Sequence, residues 1–253
     1  MASTREKTTH AIEHDFIEIC RSAFGESLES VIVYGSFLRN TFRPGTSDVN
    51  VLIIVRRGHE PSLREFGRSG RRLMRRHRVT PLVLTHQEFV GSADVFPMEY
   101  LDIAQTHRVL HGPDVTTDLT ISRANLRHEV EHQLRGNLMA LRQLAIAAGR
   151  PRPFRKLLLR RRLEEWSGSV SAILRALLRL HGVETTPEVP EELVERVNRE
   201  LGLEAGPLLH LAGGRVAEYH DSVALVDALL ERLARLVEVV DADSGAAHGG
   251  PTS

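Results

Sequence analysis

The chain has 253 residues, is 42% hydrophobic, and carries 33 basic and 33 acidic side chains, so its formal net charge is zero. That length supports one large domain or two small ones, each with a real core. The zero balance gives no global argument for a nucleic-acid or membrane partner, and the single cysteine, Cys20, excludes an internal disulfide and a cysteine-built zinc site.

The first ten residues lack the apolar core of a signal peptide. No apolar run is long enough to cross a bilayer, so the expectation is a cytoplasmic protein with no membrane partner. Lysine occurs only at Lys7 and Lys156, a coding bias before it is a functional signal. Residues 5–27 show helical spacing, with Ile12, Phe16, Ile19 and Phe24 on one side and Cys20 buried among them. Val31 to Tyr34 is a β-branched run ended by Gly35, which predicts a strand. Val49 to Val55 predicts a second strand, with turn chemistry in the preceding "GTSD". Residues 61–77 read as a helix with Pro61 at its start. Val79 to Thr85 predicts a third strand, and the alternation in Phe96 to Ile103 a fourth, after which "HRVLHG" closes the half.

From Ser122 the period changes. Leu126, Val130, Leu134, Leu138 and Leu141 mark a long amphipathic helix. Further helices are expected over 154–181, 190–201, 205–218 and 222–240, with breakers at "GRPRP" and "ETTPEVP". The fold class this implies is α+β: a small mixed sheet with flanking helices over 1–118, then an all-α domain over 119–242. The small polar residues of 243–253 predict a disordered tail.

The chemistry concentrates in Val31 to Val55. Gly35 ends a strand and lets the backbone approach a ligand closely. Ser36 adds a hydroxyl and an amide N–H, a pairing suited to holding a phosphate where a helix begins. Asp48 and Asn50 share one face of the next strand, because strand side chains alternate with period two. Burying Asp48 without a partner would be costly, so a metal ion, an arginine or a strand-edge location must account for it.

Tyr34-Gly35-Ser36, a spacer, and Ser47-Asp48-Val49-Asn50-Val51 resemble the motif of the polymerase-beta-like nucleotidyltransferase superfamily, in its minimal, aminoglycoside-nucleotidyltransferase-like branch. Arg39 stands where relatives often carry an arginine. Asp94 to Gly112 resembles a stretch common in bacterial members, and a helical domain after the sheet is usual there. The resemblance implies a nucleoside triphosphate such as ATP bound through Gly35, Ser36, Arg39 and Ser47. It implies Mg2+ held by Asp48 and Asn50, bridging the phosphates and the attacking hydroxyl of an acceptor. The chain departs from the pattern in two places. Asn50 stands where a second carboxylate is usual, and magnesium prefers charged oxygens. The third expected strand, "RVTPLVLT", holds no acid. Glu99 is carried as the third catalytic group, with Asp102, Glu129 and Glu131 as alternatives.

Three functions follow: transfer of a nucleoside monophosphate to a hydroxyl of a small molecule or protein, a catalytically inactive nucleotide-binding or interaction module, and nucleic-acid binding through an arginine-rich helix. The last draws on nine arginines between Arg56 and Arg78, which could track a phosphate backbone. No aromatic interleaving supports it, and a solvated face is the favoured reading. A second basic cluster runs from Phe154 to Arg162. "HEVEH" (His128 to His132) matches a zinc-protease signature, but the apolar stripe passes through Val130, so a polar helix face is favoured.

Overall fold

The computed structural model describes residues 4–39, 42, 47–56, 60–149, 155–184, 189–213, 215–218 and 221–247. The chain divides into two compact units, 1–121 and 122–253. The first is α+β and the second is helical.

In the first unit, α1 (Thr4–His10) runs through a wider π-type turn (Ala11–Phe16) into α2 (Ile17–Phe24). Four strands follow in chain order: β1 (Leu28–Tyr34), β2 (Val49–Val55), β3 (Val79–Thr85) and β4 (His107–His111). They form one mixed sheet in the order β3-β2-β1-β4. β1 pairs antiparallel with both β2 and β4, whereas β2 and β3 are parallel. A parallel pair needs a crossover, and α3 (Glu60–His77) supplies it. Pro81 lies in β3, an edge strand, where its missing N–H removes no ladder bond needed by a further neighbour.

The two central strands are buried on both faces, which explains their near-continuous apolar runs. Val31, Val33, Val49, Val51 and Ile53 pack with Phe16, Cys20, Phe24 and Phe66 from the helices of one face. Ile32, Leu52 and Ile54 face the other way, onto Phe89, Tyr100, Ile103 and Val115. Phe89 belongs to α4 (His86–Gly91), which opens on a capping box between Thr85 and Glu88. Gly112 closes β4 at φ +76, and a Cβ there would meet Glu29 O at 1.9 Å. Only glycine lets the chain pass that close.

Residues 96–103 do not form the expected fourth strand. Pro97 stands in the first turn of a helix, α5 (Pro97–Gln105), which buries Met98, Tyr100 and Ile103. The apparent alternation of Phe96, Met98 and Tyr100 is overridden by burial at helical spacing, and "HRVLH" takes the strand instead. Glu99 and Asp102 therefore stand on a helix.

The second unit contains α6 (Arg123–Ala148), α7 (Arg155–Leu180), α8 (Pro190–Leu201), α9 (Gly206–Ala212) and α10 (Ser222–Ala247). Leu126, Val130, Leu134, Leu138 and Leu141 are buried along α6, as their spacing predicted. α9 ends earlier than expected, with a short 3-10 turn at Val216–Glu218. α10 runs on to Ala247, beyond the expected start of a disordered tail at 243. Residues 248–253 lie outside the described residues. Among the described residues, no helix is long and apolar enough to cross a membrane.

Candidate functional site

The C-terminal end of β1 and the N-terminal ends of β2, β3 and β4 meet at one edge of the first unit. The ladder registers set His107, Tyr34, Asn50 and Thr80 in one row across the four strands. Paired residues share a face, so this polar row continues the face whose interior is Ile32, Leu52 and Ile54. Burial, then the neighbouring Tyr100, pushes the Tyr34 hydroxyl above its ordinary pKa.

Gly35 follows Tyr34 at φ +79 and starts a short 3-10 turn, Gly35–Leu38. Its N–H donates to Thr106 O at 3.1 Å, and Arg39 N–H donates to Ser36 O at 3.0 Å. A Cβ at position 35 would lie 3.3 Å from Asn50 Nδ2. The Asn50 amide and the Gly-Ser turn are therefore immediate neighbours. Ser36 is half-buried, and among the described residues its hydroxyl makes no hydrogen bond. Ser47 is half-buried just before Asp48.

Arg39 is 8% exposed. Its Nη2 donates to Asp102 Oδ2 at 2.9 Å and to Thr106 Oγ1 at 3.5 Å. The expected nucleotide-binding arginine is thus turned into the protein, where it clamps the Gly-Ser turn to the end of α5. Arg5 adds a second brace, donating to Phe37 O at 3.0 Å. Asp102, once a candidate acid, is the partner of that clamp. Glu99 is exposed in the first turn of α5. It stands about 10 Å along the helix axis from Thr106, which touches the turn.

Asp48 is exposed at the start of β2, and its Oδ1 lies 2.8 Å from Arg78 Nη2. Arg78 stands at the same place before β3, and its carbonyl accepts Val49 N–H at 2.9 Å. Its φ is +53, alone among the described non-glycine residues, a conformation costing roughly 1–2 kcal/mol for an L-residue. In the sequence Arg78 is one arginine in a run. The signal available was positional: in parallel neighbours, the residue before β3 stands beside the residue before β2.

His107 is held by its surroundings. Nδ1 is 3.0 Å from the carbonyls of both Ile103 and Ala104, and Nε2 is 3.0 Å from Asp114 Oδ2. Burial raises the Asp114 pKa, but hydrogen bonds from Thr116 and His107 outweigh it and leave the carboxyl below its ordinary value.

These residues do not fit the metal centre that the resemblance implies. Asp48 supplies one carboxylate, already on a guanidinium, and Asn50 supplies a neutral amide. Among the described residues, no group of three or more His, Cys, Asp or Glu could hold a metal ion. The same holds for "HEVEH": His128 and His132 are exposed, Glu129 accepts from Gln133, and Glu131 accepts from Arg127 and Arg135. That stretch is a polar helix face.

The two basic stretches differ. On α7, Arg160 pairs with Glu164, and Arg161 and Arg162 share Glu165, so these three arginines are paired within their own helix. On α3, Arg68, Arg71, Arg72, Arg75 and Arg76 are exposed, and a groove of about 490 Å³ runs between Arg68, Ser69, Arg71, Arg72 and Arg75. Glu65 pairs with Arg68 at 3.4 Å.

Comparison with known proteins adds to this geometry. Residues 14–92 match the nucleotidyltransferase domain family, a span running from the π-type turn through β3 to just past α4. No curated protein sequence matches the chain. Among solved structures, the chain resembles a spectinomycin adenyltransferase from Enterococcus faecialis, solved with ATP and spectinomycin. The TM-score is 0.53 at 12% identity, over 88% of this chain and 99% of the other. At that identity the likeness is one of fold.

Proposed function

From the match of residues 14–92 to the nucleotidyltransferase domain family, we propose that the chain binds a nucleoside triphosphate and transfers its nucleoside monophosphate to a hydroxyl of a small molecule. One observation carries this reading: the Gly35–Ser36 turn lies against Asn50, with Asp48 two residues before it on the same strand edge. Gly35 leaves room for a phosphate to approach the backbone, and Ser36 offers its hydroxyl to it.

The acceptor oxygen attacks the α-phosphorus and forms a new O–P bond. The bond from that phosphorus to the oxygen bridging to the β-phosphate breaks, and pyrophosphate leaves. Asp48 is the carboxylate at this edge that receives the hydroxyl proton. The fixed turn supplies orientation, which is where most catalysis of phosphoryl-type transfer originates. The structural neighbour, solved with ATP and a small molecule, supports a small acceptor.

The test is incubation of the protein with α-labelled nucleoside triphosphates and a panel of hydroxyl-bearing acceptors, reading pyrophosphate release and product mass. Release that is lost in Asp48→Asn supports transfer. No release with any acceptor, and none gained in Asn50→Asp, overturns it.

A second reading has its own support. Asn50, the Asp48–Arg78 pair and an acid-free β3 favour a module that binds nucleotide without transferring it. Calorimetric ATP binding with no turnover in the same panel distinguishes that reading from the first.

A further inference from the structure

Arg78 keeps a left-handed backbone at a helix end where glycine or asparagine is the usual occupant. A long cationic side chain retained against that local preference points to a use that glycine would not serve. The use is visible in its contact. The guanidinium reaches Asp48, with the two side chains 46% and 52% exposed. The hydrogen bond from Val49 to the Arg78 carbonyl ties the starts of β2 and β3 together. It delivers the guanidinium to the strand edge that carries Asp48, Asn50 and the Gly35–Ser36 turn.

Charge then decides what such an edge attracts. Two carboxylates would hold a divalent cation by their summed negative charge. Here Asp48 and Arg78 cancel and Asn50 is neutral, so little draws a cation in. A guanidinium presents five donors in a planar fork that matches phosphate oxygens. An ion pair this exposed is weak, and it opens when a phosphate offers the guanidinium more charge.

We propose that Arg78 is the phosphate-binding cation of this site, receiving the triphosphate where a divalent metal would otherwise be needed. Asp48 holds the guanidinium in position until nucleotide arrives and is released when it does. The inference rests on the nucleotide reading above and names the group that makes binding independent of metal.

The experiment is calorimetric titration of ATP into the wild-type chain, in excess EDTA and again in Mg2+, alongside Arg78→Gly and Arg78→Lys. Arg78→Gly removes the guanidinium and relaxes the positive φ, so its melting temperature should equal or exceed that of wild type. That separates lost binding from lost folding. ATP is expected to bind wild type in EDTA. Arg78→Gly should weaken binding about 10- to 100-fold, as loss of charged hydrogen bonds implies, and Arg78→Lys should recover part of it. A direct Mn2+ titration followed by electron paramagnetic resonance should find no tight site in wild type. One should appear in the Arg78→Gly/Asn50→Asp double variant, which has two acids and no guanidinium. If wild type binds ATP only with metal, and Arg78→Gly binds it as well as wild type, the inference is overturned while the nucleotide reading stands. Absence of ATP binding under either condition overturns both.

Discussion

Replacing Gly35 by alanine probes the turn on which the site is built. Two costs are set by the structure. At φ +79 an alanine pays the left-handed penalty of roughly 1–2 kcal/mol. Its Cβ would also stand 3.3 Å from Asn50 Nδ2, so the amide must shift by a few tenths of an ångström, which adds about 1 kcal/mol. The sum is about 2–3 kcal/mol, and Asn50→Ala in the same background should return only the contact part. The assay must report on the first unit alone. Trp166, the single tryptophan, lies in the second, so its fluorescence would follow the wrong half of the chain. Hydrogen exchange of β1 and β2 amides is the suitable measurement. Their slowest exchange should accelerate roughly 30- to 150-fold in Gly35→Ala, with about a fivefold recovery in the double variant. Exchange unchanged in Gly35→Ala would refute the strained-turn reasoning. Complete recovery in the double variant would show that the contact, not the backbone, carries the cost.

Other outcomes follow from the same geometry. Arg39→Met removes the buried guanidinium that pairs with Asp102 Oδ2 beside the Gly-Ser turn. It should destabilise the first unit by about 2–3 kcal/mol, measured by urea unfolding, and Asp102→Asn in that background should relieve part of the loss. His86 lies between Glu29 and Asp118, and the hydrogen bond with Glu29 leads the effects that raise its pKa above 6.5. Its stabilising contribution is complete below the unfolded pKa and is lost as pH rises through the higher folded value. Stability should therefore fall from about pH 6.5 upward, and His86→Gln should flatten that limb. His77 has the opposite sign, because burial and then Arg76 lower its pKa, so the difference between wild type and His86→Gln is the quantity to read. Arg72→Glu places an acid four residues from both Arg68 and Arg76 on α3. It should stabilise the helix by about 0.3–0.5 kcal/mol per pair at low salt, with the gain shrinking in 1 M NaCl.

Some of this was legible from residues alone, for physical reasons. The strands at Val31, Val49 and Val79 and the stripe on α6 are marked by apolar period, and period is what burial enforces. Asp48 and Asn50 were placed on one strand edge beside Gly35 by the same rule. Residues 96–103 misled because a short apolar run satisfies both periods, and only the proline in the first turn and the burial of Ile103 separate them. The pairing of Arg39 with Asp102 was not legible because the two stand 63 residues apart, a separation no local pattern reports. Arg78 was hidden for a different reason. Its importance comes from a backbone angle and a parallel register, and neither is visible within a run of arginines.

The most direct measurement is pyrophosphate release from ATP by the wild-type chain with hydroxyl-bearing small molecules, compared with Asp48→Asn. Release that depends on acceptor and is abolished by Asp48→Asn is the expected result. Bound ATP with no release from any acceptor, in wild type and in Asn50→Asp alike, would contradict transfer and leave a nucleotide-binding module on this fold.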